Sequence, residues 1–407
     1  MTARNRTERM PGLKLTDYES ERYEDRVGLY LHIPFCVRKC LYCDFLSGPA
    51  GPEKRQRYVD ALLQEIREKA ARMREGITAD TVYFGGGTPS LLTENQAAEI
   101  LETLRGCFSI RKDAEISMEC NPGTVTEHWL REMRRLGVNR LSIGVQSFDA
   151  GELRTLGRIH SPEEAASAVE LARAAGFDNL NLDLMSGIPG QTMESWEYSL
   201  DRAVRLSPEH ISAYSLIVEE GTPFYRMYGE GTEKDPSLPG IPDEETERAM
   251  VHFTGRFLAA HGLAQYEISN FARPGRECLH NIGYWKRHPY LGLGAGAASL
   301  FGNERFTNIR DVDRYCRAPG REYSEGPESL TREEQMEEFM FLGLRMTEGI
   351  SEALFAKTFG VSVQSVYGTV IAAHEREGLL VRDGGRIRLT ERGMDLSNYV
   401  MADFLFC

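Results

Sequence analysis

The sequence predicts an α/β protein: a partial (β/α)6 TIM-like barrel followed by a mainly helical, winged-helix-like C-terminal domain. Two observations carry this. Apolar, β-rich runs alternate with helical patterns through residues 27–235, and alternating β and α units imply a parallel sheet that six repeats can roll into an open barrel. Beyond residue 329 the pattern changes to helical stretches with one hairpin signal.

Residues 1–26 are a polar, charged lead-in without the apolar core of a signal peptide. The expected strands cover 28–33, 81–84, 115–119, 140–145, 179–185 and 210–216. The expected helices cover 57–74, 94–107, 127–136, 162–175 and 193–206. Two helix starts are well marked. Ser161 precedes Pro162 and stands three residues before Glu164, and Thr93 stands three before Gln96; both are capping boxes. A Gly- and Pro-rich stretch, 229–242, opens a middle segment, 236–328, with a helix expected from about 243 to 261. Its glycine-rich run, 290–297, reads as backbone packed closely on the barrel. In the last unit, helices are expected at 331–346, 351–359 and 363–377. Short strands flank Asp383, Gly384 and Gly385, and a final amphipathic helix covers about 392–406.

Composition narrows the function. The chain has 407 residues, 41% hydrophobic and 27% charged, as a globular protein of two or three domains has. A net charge of −13 argues against a nucleic-acid-binding surface, which needs a basic patch. It also argues against reading the C-terminal unit as a DNA binder; packing or protein interaction fits better. No run has the length of a membrane-spanning helix. Eight cysteines in a chain without a leader point to metal or redox chemistry in a cytoplasmic protein rather than to a disulfide scaffold.

The first strand runs into Cys36, Cys40 and Cys43, spaced C-x3-C-x2-C. Three thiolates can hold three irons of a [4Fe–4S] cluster and leave the fourth iron open to a small molecule. A zinc knuckle completed by His32 or Asp44 is the alternative, since structural zinc takes four protein ligands. Chemistry in such barrels sits at the C-terminal edge of the strands. There the sequence places the turn Gly85, Gly86, Gly87, Thr88 and Pro89, then Glu119 and Asn121, Gln146, and Asp183. The glycine turn exposes backbone groups to a ligand. Glu119 and Asp183 end apolar strands, where a carboxylate needs a partner. Arg158, read alone, is a surface charge. Further on, Cys278, His280, Asn281, Tyr284 and Trp285 crowd into eight residues. Among aromatics, a His or Cys is a possible axial ligand to haem, although a hydrogen-bonded structural histidine is the commoner case.

Together these motifs resemble the oxygen-independent coproporphyrinogen III dehydrogenase family of radical S-adenosylmethionine (SAM) proteins. The resemblance covers nearly the whole chain after residue 26, and it is closest to the haem-chaperone branch. The dehydrogenases carry a fourth cysteine two residues after the third, where this chain has Phe45. The haem chaperones carry H-N-x-x-Y-W, matched by His280, Asn281, Tyr284 and Trp285. The resemblance implies a [4Fe–4S] cluster on Cys36, Cys40 and Cys43 whose open iron chelates SAM and whose electron can cleave it. It implies SAM contacts at Tyr30, Tyr42, Gly86, Gly87, Thr88, Glu119, Gln146, Arg158 and Asp183. It also makes His280 the first candidate for a haem ligand and Cys278 the second. The function implied is binding of haem and its delivery to an acceptor haemoprotein, such as a membrane respiratory one, by a monomer or dimer. The alternative is decarboxylation of coproporphyrinogen III.

Overall fold

The computed structural model describes residues 26–73, 77–232, 235–317 and 324–405. Most of the polar lead-in lies outside them. The barrel wall is built from β1 (Arg26–Ile33), β2 (Thr78–Gly86), β3 (Ser109–Cys120), β4 (Arg140–Gln146), β5 (Leu180–Ser186) and β6 (His210–Ser215). Each pairs in parallel with the next. On the outside lie α1 (Pro52–Arg72), α2 (Glu94–Cys107), α3 (Glu127–Arg135), the short α4 (Ala150–Leu156), α5 (Pro162–Ala174) and α6 (Met193–Arg205). Both predicted capping boxes form, at Thr93 and Ser161. β3 is longer than its apolar run. Lys112 and Asp113 are exposed at its outer end, and a bulge between Ala79 and Thr81 absorbs the extra residues.

After β6 come α7 (Pro223–Tyr228) and α8 (Glu244–Ala260), and the chain then extends the sheet on both edges. β7 (Ala264–Glu267) and β8 (Asn270–Ala272) add antiparallel strands beside β6. Past α9 (Leu279–Trp285), β9 (Tyr290–Leu293) pairs in parallel with β1 on the opposite edge. β10 (Ala298–Phe301), β11 (Glu304–Asn308) and, after α10 (Val312–Tyr315), β12 (Ser324–Ser329) continue outward. Among the described residues the sheet has twelve strands and ends on β12 and β7, so the barrel is open. Most of the added strands are three to five residues long, too short to show a period in sequence. The glycine-rich run serves packing, as expected. A Cβ on Gly292 would lie 2.2 Å from the Ala298 carbonyl oxygen, and one on Gly294 would lie 2.4 Å from the Tyr58 hydroxyl.

One carboxylate fastens this addition. Glu65 of α1 is fully buried, and it accepts from Gly294 N (2.8 Å), Asn308 Nδ2 (2.7 Å) and Tyr315 Oη (2.5 Å). Lys69, one turn on, supplies the counter-charge at 2.8 Å.

The C-terminal unit has its own core, built from residues such as Phe355, Ile371, Ile387 and Phe404. Its elements are α11 (Arg332–Gly343), β13 (Ile350–Ser351), α12 (Glu352–Phe359), α13 (Val363–Arg376), β14 (Leu380–Asp383) and β15 (Arg386–Leu389). The three strands form an antiparallel sheet in the order β13-β15-β14, with the predicted hairpin turning at Gly384 and Gly385, both at positive φ (56° and 77°). The expected single final helix is two pieces, α14 (Glu391–Asp395) and α15 (Ser397–Ala402). Leu396 leaves the helical region between them (φ −110°, ψ 27°). The first piece is held against the Leu379 carbonyl at Gly393, where a Cβ would sit 2.0 Å away. A change of direction then carries Val400 and Phe404 into the core. The unit docks on the barrel through charged contacts: Arg287 to Glu338 at 2.8 Å, Lys286 to Glu348 at 2.8 Å, and Arg345 over the Trp285 ring at 4.3 Å.

Removing Glu65 takes the counter-charge from Lys69 and the acceptor from the buried Gly294 amide, and it removes one bond each from Asn308 and Tyr315. Glu65→Ala is expected to cost about 3–5 kcal/mol, and Glu65→Gln less, because the amide still accepts some of the bonds. Paired thermal melts of the two variants against wild type check this.

Candidate functional site

The loop after β1 carries the three cysteines and is pinned at several points. Cys36 N donates to Gly48 O (3.0 Å), Gly48 N to Pro34 O (3.1 Å), Leu41 N to Leu156 O (3.1 Å), and Phe224 N to Leu41 O (3.1 Å). β2 holds it from the side, with Gly87 N donating to Ile33 O at 2.9 Å. The glycine turn is shaped by this contact. Gly86 lies at φ +111°, where a Cβ would strike the His32 ring, and a Cβ on Gly87 would lie 2.6 Å from the Phe35 carbonyl oxygen. Their missing side chains make room for the cysteine loop, while the turn itself faces a cavity of about 510 Å³.

That cavity gathers most of the predicted residues. Cys36, Cys40, Cys43, Tyr42, Gly86, Gly87, Thr88, Glu119, Gln146, Arg158 and Asp183 all line it. Two do not. Tyr30 lies within the barrel, its ring 6.3 Å from those of Tyr83 and His280, and its hydroxyl donates to His32 Nδ1 (3.0 Å). His280 lies near the opposite, closed end, beside Gly28 and Thr81 at the start of the strands. Its Nδ1 bonds Thr81 Oγ1 at 2.7 Å and its Nε2 bonds Tyr284 Oη at 2.9 Å. Burial and the nearby Arg140 push its pKa down to about 3, so the ring is neutral. To meet a metal it must give up one of these bonds. Cys278 is equally enclosed; burial pushes its thiol up to about 12, and its Sγ donates to Glu115. Of the H-N-x-x-Y-W motif, Asn281 is the residue that reaches the cavity.

Two of the cysteines are joined through polar groups. Arg158 Nη1 donates to Cys40 Sγ (3.6 Å), and its Nη2 donates to Asn121 Oδ1 (2.7 Å) and Gly144 O (2.5 Å). Asn121 Nδ2 donates to Thr88 Oγ1 (2.9 Å), and Thr88 Oγ1 donates to Cys36 Sγ (3.5 Å). Arg158, a surface charge on its sequence alone, is thus a half-buried part of the site, and Asn121, placed at the strand edge by sequence, links it to Thr88. Room for both depends on Gly144, where a Cβ would lie 2.7 Å from Asn121 Oδ1.

The donor set can be tested against the two metals the sequence allowed. His32 has no free nitrogen for zinc, because Nε2 donates to Leu46 O (2.8 Å) and Nδ1 accepts from Tyr30. Among the described residues no three His, Cys, Asp or Glu side chains gather around a single-ion position. Three separated thiols at one mouth, two of them receiving hydrogen bonds, suit a cubane that takes one thiolate per iron.

The carboxylates stand on β3 and β5, with β4 between them. Glu119 accepts from Tyr83 Oη (2.9 Å) and Gly86 N (3.1 Å). Asp183 accepts from Asn181 Nδ2 (2.7 Å) and Ser142 Oγ (3.1 Å). Burial, reinforced by Asp183, raises the Glu119 pKa to about 7. Such a pair is poised to receive a cation. Gln146 is held at positive φ (68°), and its Oε1 accepts from Tyr214 Oη at 2.8 Å. Tyr83 and Tyr214, which position these two residues, gave no signal in sequence beyond being strand aromatics.

A model of the Radical SAM superfamily matches residues 30–203, and a model of the HemN C-terminal domain matches residues 330–396. The heme chaperone HemW of Bacillus subtilis is 38% identical over 92% of this chain and 98% of its own length. That of Lactococcus lactis is 34% identical over 92% of this chain and 96% of its own. The chain belongs to the HemW family of radical SAM proteins. Among solved structures, coproporphyrinogen III oxidase (HemN) from Escherichia coli superposes with a TM-score of 0.80 at 25% identity, covering 95% of this chain and 92% of that one. The radical SAM superfamily brings a [4Fe–4S] cluster and SAM as cofactors, and three thiols and two carboxylates line this cavity.

Glu119 makes the cofactor-free protein sensitive to pH. A carboxyl whose folded pKa is raised contributes stability that is fully present below its ordinary value of 4.5 and is lost as pH rises through about 7. The loss is on the order of 3 kcal/mol. Glu119→Gln is expected to remove it, so the variant gains on wild type between pH 5 and pH 8, on the order of 3 kcal/mol in all. Melting temperature against pH, without cofactor, is the measurement.

Proposed function

We propose that this protein is a haem chaperone: it binds haem, carries a SAM-coordinated [4Fe–4S] cluster, and passes the haem to an acceptor haemoprotein. The observation that carries the reading is the near full-length likeness to proteins named heme chaperone HemW, on a chain whose cysteine loop opens onto the cavity described above. Cys36, Cys40 and Cys43 would hold the cluster. It supplies an electron and an iron open to SAM. Arg158, Asn121 and Thr88 orient and polarise the thiolates. Glu119 and Asp183 would take the cationic end of SAM, Gln146 and Tyr42 would line its path, and the turn Gly86, Gly87 and Thr88 would offer backbone groups. Tyr30 supports this set from behind through His32 and Tyr83. The acceptor is proposed to be a membrane respiratory haemoprotein met from the cytoplasm. No helix among the described residues is long and apolar enough to cross a membrane itself.

The HemN likeness favours one second reading, oxidative decarboxylation of coproporphyrinogen III. Phe45, in place of the dehydrogenases' fourth cysteine, counts against it. Anaerobically reconstituted protein is expected to bind haem stoichiometrically, giving a Soret band, and to leave coproporphyrinogen unchanged in the presence of SAM and reductant. Absence of the Soret band would sink the chaperone reading, and protoporphyrinogen formed together with 5′-deoxyadenosine would establish the enzyme instead. Replacing any one of Cys36, Cys40 or Cys43 by Ala is expected to lower bound iron and sulfide sharply.

A further inference from the structure

Among the described residues, the four most exposed large apolar side chains are Ile217 (68%), Phe45 (67%), Val37 (55%) and Ile159 (54%). All four line the mouth of the same cavity. They come from three separate loops, after β1, before α5 and after β6. A single exposed apolar residue is ordinary; several grouped around one opening mark a binding surface.

The chemistry of the rim selects its occupant. A membrane surface calls for a basic border, whereas Asp44 and Glu219 stand on this one and the chain carries a net charge of −13. A protein partner of ordinary size needs a broad face, roughly 800 Å² on each side. The rim instead encircles a concave opening, the mouth of the cavity described above. A flat, apolar ring with charged edges fits both features. One cation is placed for such an edge: Arg38 is exposed on the rim, with no ion pair among the described residues.

We propose that haem docks with its macrocycle against Val37, Phe45, Ile159 and Ile217 and a propionate at Arg38, at the mouth that holds the cysteine loop rather than beside His280. The proposal rests on the haem-binding reading above. It gives Phe45 a positive role, as an apolar wall. It also places the cargo at an open edge from which it can leave, while His280 stays in the closed end.

The test uses the reconstituted holoprotein. The double variant Phe45→Ser, Ile217→Ser changes two solvent-exposed side chains and is expected to fold, with wild-type iron and sulfide content. Its haem affinity, from Soret titration, is expected to fall at least tenfold. Arg38→Gln is expected to weaken binding a few-fold, and Phe45→Trp to retain it. Metal-free protoporphyrin in excess is expected to compete with haem, because the rim grips the ring and not the iron. Haem binding by the double variant as tight as by wild type overturns the proposal, as does failure of the metal-free ring to compete. So does loss of binding in His280→Ala alone. Wild-type protein that binds no haem overturns the functional reading itself, a result distinct from any of these.

Discussion

The carboxylate of Glu115 holds the closed end of this barrel together. It projects from β3 and accepts from Ser117 Oγ (3.2 Å), Leu279 N (3.0 Å), His280 N (3.3 Å) and the Cys278 thiol (3.6 Å). All but Ser117 are donors at the start of α9, where a negative charge is favoured and backbone N–H groups lack partners. A buried carboxylate is costly unless well bonded. Meeting that requirement draws the start of α9 into the barrel floor. His280 then bonds Thr81 on one wall, and Tyr284 bonds His280. The other end of α9 carries Trp285, Lys286 and Arg287 out to the C-terminal unit. One short helix thus closes the floor and anchors the second unit.

This explains which parts of the molecule were legible in sequence. The cysteine loop was, because its chemistry lies within eight consecutive residues and follows a strand. Both capping boxes and the Gly384–Gly385 turn were legible for the same reason: each is a local hydrogen-bond problem with a local solution. The strand-end carboxylates could be placed because a parallel barrel brings strand ends together whatever the register. The site's connections were not legible. Arg158 meets Cys40 across 118 positions and Asn121 across 37, and an arginine in a loop looks the same in sequence whether solvated or buried. The residue types of the H-N-x-x-Y-W segment suit either a haem ligand or a structural histidine, and types alone do not show that both His280 ring nitrogens are occupied.

The sheet additions follow the same logic. β9 pairs with β1 across more than 250 positions, and the strands that extend it are too short for alternation to register. What decides their place is the fully buried Glu65, a residue that reads in sequence as one more charge on an amphipathic helix. A carboxylate that every local rule assigns to solvent was recognisable as a core residue only once its partners Asn308 and Tyr315 were known.

The barrel therefore divides its polar interior by depth. At the closed end, Glu115, His280 and Thr81 satisfy one another, and nothing there needs a ligand. At the mouth, burial raises the pKa values of Glu119 and Asp183, and three cysteines face the cavity. On the proposed function, a cationic ligand and a cluster would complete that end. The same reasoning extends to the rim, where apolar side chains stand in water. On the proposed function, each depth of the barrel would meet a different partner: none at the floor, a charged cofactor in the shaft, and an apolar ring at the edge.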